Sequence, residues 1–254
     1  MGLAFRYFRT SLAEIYYDPI RMMLANLRWF VPSLPAFLVA LFPIATLLNA
    51  SVEQEQFLEA TEATATLLLP SVMATVLLPL LMVLAGPATA AIYSVMHEFV
   101  RGELLEPSRF GSAFRRYFWS GWGLAASNVA AGTLLLLNAW FYLAVGIPVI
   151  GLLAIVFLYL FVVWFALQPY LFPLLVEFDQ PIRRVWRNAI FMVMDNLGLT
   201  LGLLIIRGTV LAMVFSGLFF PVAPLILAVL LAQIDNRAVT EAIDRYRDAG
   251  RVFS

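Results

Sequence analysis

Few side chains in this 254-residue sequence are equipped for chemistry, and most of them sit where water should be scarce. Arg207 stands about eleven residues into an apolar run that opens at Asn196, which puts a guanidinium near mid-membrane depth. A charge there costs about 2.5–3.5 kcal/mol on insertion scales, so it should face a bundle interior or a wet cavity. Its chemistry would be contact with an anion, a carbonyl or a hydroxyl. The structural alternatives are satisfaction by helix-end carbonyls or by Asn138, or snorkelling outward. No Asp or Glu stands clearly at its depth, so the sequence names no carboxylate partner. Asn26, Asn128 and Asn196 fall at the inner ends of apolar runs. Amides there serve as hydrogen-bond glue between helices, each worth roughly 0.6 kcal/mol, or as helix starts, with ligand contact the third reading. His97 is the one histidine. Glu98 and Glu103 beside it do not share one helix face with it, so an interfacial polar residue is expected rather than a metal ligand. Glu98 and Arg101 are spaced to pair on one helix face. Asp195 reads as a helix-start carboxylate.

No catalytic set emerges. Cysteine is absent, which removes a thiolate nucleophile and Cys-based metal sites. There is no Walker loop, GxSxG elbow, HExxH or intramembrane Asp pair. The expectation is a non-enzyme with no catalytic residues, no cofactor, no metal and no nucleic-acid partner.

The elements that must position these residues are membrane helices. The chain is 63% hydrophobic and 13% charged, with mean hydropathy +0.90, whereas soluble domains carry about 25% charged residues. Apolar runs of roughly 20 residues match the length that crosses 30 Å of hydrocarbon, and they lack the alternation of a barrel. The fold class is therefore an all-α polytopic bundle, a single membrane domain over 1–254, with spans at about 29–48, 66–95, 119–145, 149–175, 196–216 and 218–234. An amphipathic helix over 3–17, with Phe5, Phe8, Leu12 and Ile15 as its stripe, precedes them and ends at Pro19. Interfacial helices precede the third and fifth spans, and Phe110, Phe114 and Phe118 form one ridge. A soluble helix from Asp235 to the end follows the last span, its face made of Val239, Ala242, Ile243 and Tyr246. With both termini inside, the inner segments hold 15 of 16 Arg and the outer loops none, which obeys the positive-inside rule. Anionic lipids at the cytoplasmic face are the expected partners of those basic segments. Arg115-Arg116 before Asn128 and Arg184 before Asn196 repeat a twelve-residue spacing, which suggests a duplicated unit.

One stretch organises the second span: Gly86, Pro87, Ala88, Thr89, Ala90, Ala91 and Tyr93. Pro87 deprives the Val83 carbonyl of its donor and Gly86 leaves room to bend, so a break is expected here. Thr89 can return a hydroxyl to the backbone. The Ala88–Ala91 face should pack directly on a neighbour, because small residues let membrane helices approach closely. Tyr93 is placed as an interfacial aromatic. This stretch, with the charged segment and the Phe/Arg helix that follow it, resembles the DUF624 or YesL-like family of bacterial integral membrane proteins. The resemblance implies a bacterial plasma membrane and an association with carbohydrate uptake, and it implies no reaction. The expected function is a non-catalytic accessory or regulatory membrane protein, partnered by a transporter complex or a second copy. The alternative is a small-solute transporter with its site near Arg207.

Overall fold

The computed structural model describes residues 2–35, 83, 85–145, 148–215 and 223–248. Most of the first and second predicted spans, the acidic segment over 50–64, the turns at 146–147 and 216–222, and the chain end with Gly250 lie outside the described residues. Every described element is helical.

Helix α1 spans Gly2–Tyr17. Its buried face is Ala4, Tyr7, Ser11 and Ile15, while Phe5 and Leu12 are exposed. Of the predicted stripe, Phe5 and Leu12 are turned away from the core, Phe8 is half-buried against it, and Ile15 alone is buried. The small Ala4 and Ser11 let α1 seat closely on the bundle, with Tyr7 and Ile15 buried beside them. Pro19 does not simply end a helix. The chain breaks at Asp18, whose carbonyl accepts the Met22 N–H at 3.2 Å, and α2 runs over 19–35. Proline suits a first helical position because its φ is preset and its missing N–H would be unbonded anyway. The helix thus starts ten residues ahead of the predicted first span.

Helix α3, Gly86–Val100, has Pro87 in its first turn, with the turn residue Ala85 before it. The predicted second span is interrupted at that point. A 3-10 turn, Pro107–Arg109, leads into α4, Phe110–Arg116. The Phe110 and Phe114 rings stack at 6.2 Å, and Phe114 meets Phe118 edge-on at 5.7 Å.

Helices α5 (Phe118–Ala144) and α6 (Pro148–Phe178) form a long hairpin at the third and fourth predicted spans. Their segments Phe118–Ala144 and Gly151–Phe178 are each long and apolar enough to cross a membrane. Leu152, Ile155, Tyr159 and Val162 are all exposed along α6. Helical spacing puts them on one face, an apolar stripe suited to lipid. Helix α7, Ile182–Asp195, buries Val185, Asn188, Ala189, Met192 and Val193. It turns by 101° at Asn196 into α8, Leu197–Phe215. Among the described residues two helices meet the length and apolarity of a span, or three if the bent α7–α8 pair is one.

Helix α9 runs unbroken from Ala223 to Asp248. It is continuous across Asp235, where the sequence reading ends the sixth span and begins the cytoplasmic tail helix. The period continues across that point, with Val229, Ala232, Ala238, Val239, Ala242 and Ile243 all buried. Arg6–Glu241 at 2.8 Å and the Arg237–Glu14 pair fasten α1 onto its second half.

Candidate functional site

The Gly86–Tyr93 stretch fixes where α3 stands. A Cβ on Gly86 would lie 2.5 Å from the Gly121 carbonyl oxygen and 2.6 Å from the Ala125 Cβ. One on Gly121 would lie 2.9 Å from the Ala90 Cβ and 3.1 Å from the Pro87 Cα. Two glycines thus face each other where α3 meets α5, and neither backbone leaves room for a methyl group. Ala88, Ala90 and Ala91 are fully buried. The Thr89 hydroxyl donates to the Ala85 carbonyl at 2.9 Å and accepts the Trp29 indole N–H at 3.2 Å, so one side chain serves the helix start and ties α2 to α3.

Seven residues beyond Gly86, the crossing delivers Tyr93 into the interior. It is buried rather than interfacial, with its ring stacked on Phe172 at 5.6 Å. Its hydroxyl donates to Asp235 Oδ2 at 2.5 Å and accepts from Arg207 Nη2 at 3.3 Å. Arg207 also donates to Asp235 Oδ2. Arg207 therefore has a carboxylate partner. Asn138, weighed as its satisfier, instead donates to the Leu134 carbonyl of its own helix at 2.7 Å. Asp235 is fully buried and the Arg207 side chain is 16% exposed. In a low-dielectric interior, opposite charges so placed hold strongly, and each would be costly alone. Among the described residues, Asp235 Oδ1 and Arg207 Nε are buried without a hydrogen-bond partner.

A second bond set shares this seam. Asn196 Nδ2 donates to the Tyr246 hydroxyl at 3.0 Å, and that hydroxyl donates to Asp195 Oδ2 at 2.9 Å. Asp195 thus closes α7 and holds α9; it does not start a helix. Eleven residues separate Asn196 from Arg207 on α8, and eleven separate Asp235 from Tyr246 on α9. The two helices run antiparallel in one register, strapped at two points about 16 Å apart. Between the straps Thr200 meets the Tyr170 hydroxyl at 2.8 Å, and buried Leu203 and Val239 fill the seam.

The remaining amides also bond helices to each other. Asn26 Oδ1 accepts the Ala228 and Val229 N–H groups of α9 at 3.0 and 3.2 Å. Asn128 and Gln168 exchange two amide bonds at 2.8 and 3.0 Å across the α5–α6 hairpin. Asn236 Nδ2 donates to the Tyr93 carbonyl at 3.0 Å.

At the far end of α3, His97 Nε2 stands 3.3 Å from Glu177, which Arg101 also binds. Glu98 bonds Arg109 at 3.0 Å, not Arg101 as its spacing suggested. Arg109 further holds Glu103 and Glu106 at 2.9 and 3.0 Å, which fastens the loop between α3 and α4. Burial pushes the His97 imidazole below its ordinary range, against the opposing pull of Glu177. Among the described residues no three His, Cys, Asp or Glu side chains group as a metal would need.

Asp235, Gln168 and Tyr246 are the functional-site residues the sequence reading missed. The signal for Asp235 was the apolar period that continues past it. The arrangement joins α3, α8 and α9 through a neutral triad of Tyr, Arg and Asp. Chemically it can hold helices together, or receive a small hydrogen-bonding group at the two unpartnered atoms.

No curated protein and no solved structure matches the chain. The family described as "Protein of unknown function, DUF624" matches residues 22–139, which take in Asn26, the whole Gly86–Tyr93 stretch and Asn128, but neither Arg207 nor Asp235. That is the family the Gly86–Tyr93 stretch resembles, and the match covers a little under half of the chain.

Proposed function

We propose that this chain is a non-catalytic integral membrane protein, an accessory or regulatory component of a larger membrane assembly. It crosses a bacterial plasma membrane six times with both termini in the cytoplasm, an orientation supported by the placement of its arginines. The observation that carries the reading is the Arg207–Asp235–Tyr93 triad. The groups best able to do chemistry are bonded to each other across three helices, where they fix geometry. A role beside carbohydrate uptake rests on family resemblance alone. Purification from native membranes in mild detergent tests the assignment. A transporter or a second copy should come with the chain; recovery of the chain alone and monomeric would overturn it.

A second reading, a small-solute transporter, is favoured by one specific observation. Asp235 Oδ1 and Arg207 Nε are buried with no partner among the described residues, and a solute that donates one hydrogen bond and accepts another would satisfy both. Uptake into liposomes separates the readings. Flux that collapses in Arg207→Ala and Asp235→Asn supports the transporter, and no flux with any small polar solute opposes it.

A further inference from the structure

Most arginines here are bonded to carboxylates, including Arg6, Arg101, Arg109, Arg207 and Arg237. Arg115, Arg183 and Arg184 differ. All three are exposed, and among the described residues none has an acidic side chain in ion-pair reach.

The fold brings these three to one surface. Arg116 bonds Asp179 at 3.0 Å, which draws the end of α4 to the turn before α7. A Cβ on Gly123 would stand 2.7 Å from Ile182 Cδ1, and the Trp186 indole donates to Ser127 Oγ at 3.1 Å. The first turns of α7 therefore lie on the first turns of α5, beside Arg115. Trp119 and Trp122 are exposed just beyond it on α5, and exposed indoles favour the depth of lipid headgroups.

Helix α7 meets α8 at 101°. When α8 crosses the membrane, α7 lies along its surface. Its exposed face begins with Arg183 and Arg184 and ends with Ile190, Phe191 and Met194. A helix with cations at one end of its free face and large apolar side chains at the other suits the boundary between phosphates and acyl chains.

We propose that Arg115, Arg183 and Arg184 form a binding site for the headgroup phosphate of an anionic phospholipid. Guanidinium forks match phosphate oxygens in geometry as well as charge. The lipid is the committed occupant because the adjoining tryptophans and the apolar end of α7 offer contacts to acyl chains that a free phosphate would not use.

The test uses the full chain in neutral detergent. Its melting temperature is followed against added phosphatidylglycerol, phosphatidylcholine or inorganic phosphate. Each arginine near an anionic surface contributes roughly a five-fold gain in binding, so the variant Arg115→Gln/Arg183→Gln/Arg184→Gln should bind phosphatidylglycerol on the order of a hundred-fold more weakly. Its melting temperature without lipid should match the wild type, since the three side chains hold no ion-pair partner among the described residues. If it does not, the three single Gln variants carry the test, each with about a five-fold loss. The control Arg9→Gln/Arg28→Gln, which removes exposed arginines of α1 and α2, should keep wild-type binding. The proposal is overturned if phosphatidylcholine or inorganic phosphate stabilises equally, if the variants keep wild-type affinity, or if the control pair loses as much.

Discussion

Gly86→Ala is the smallest change that tests the packing of α3 on α5. The new methyl carbon would stand 2.5 Å from the Gly121 carbonyl oxygen and 2.6 Å from the Ala125 Cβ. Ordinary contact begins near 3.4 Å, so the helices must separate by close to an ångström. Both obstacles are backbone or the first carbon of a side chain, and neither can rotate away. Overpacking of this kind costs about 1–3 kcal/mol. With no hydrophobic drive between helices in lipid, little else offsets the lost contact. At roughly 2–4 °C per kcal/mol for a chain of this size, the melting temperature should fall by about 2–12 °C. Gly198→Ala supplies the matched control, because nothing lies within 4 Å of the added carbon there. The assay is thermal unfolding in one detergent, read by loss of the monodisperse gel-filtration peak. If Gly86→Ala melts with Gly198→Ala, the crossing is not as close as described and the reasoning fails.

Other expectations follow from the same geometry. Gly123→Ala should cost less than Gly86→Ala in that assay, because its obstacle is the far end of the Ile182 side chain, which can turn aside. Burial depresses the His97 pKa below its ordinary 6.5, so the unfolded chain binds the extra proton first. The His97 contribution is therefore complete above pH 6.5 and is lost as pH falls below it. Melting curves from pH 7.5 to 5 should show this slope, and His97→Gln should flatten it. Asn128→Leu removes both amide bonds to Gln168. It should destabilise by about 1 kcal/mol, and Gln168→Leu added to it should cost little more, as a double-mutant cycle would show.

The apolar runs made the all-helical membrane character legible, because about twenty apolar residues have few other uses. The third and fourth spans fall within a few residues of α5 and α6, where no charged residue interrupts the predicted spans. The close packing of the glycine and alanine stretch was legible as well, since Gly86, Ala90 and Ala91 lack bulk. What could not be read was which way a helix faces. On α1 the Phe5, Phe8, Leu12 and Ile15 stripe suggested the buried face, yet Ala4, Tyr7 and Ser11 lie inside with Ile15, because small size permits close approach. Tyr93 looked interfacial because tyrosine tolerates that depth, and its burial depends on hydrogen bonds from two helices far along the chain. Asp235 was assigned to water because a carboxylate at the end of an apolar run usually meets it. Here its partner Arg207 lies 28 residues earlier, and no local pattern reports such a pairing.

Arg207 and Asp235 are each other's partner within the bundle, and the joining of α3, α8 and α9 rests on that pair. A double-mutant cycle on thermal stability tests it directly, with Arg207→Met, Asp235→Leu and the two combined. Either single change leaves a buried charge uncompensated, at a cost of about 3–5 kcal/mol. Removing both leaves only packing to adjust, so the double variant should melt closer to the wild type than either single one. A double variant as unstable as the sum of the two single losses would show that the two residues act independently, and would contradict the account.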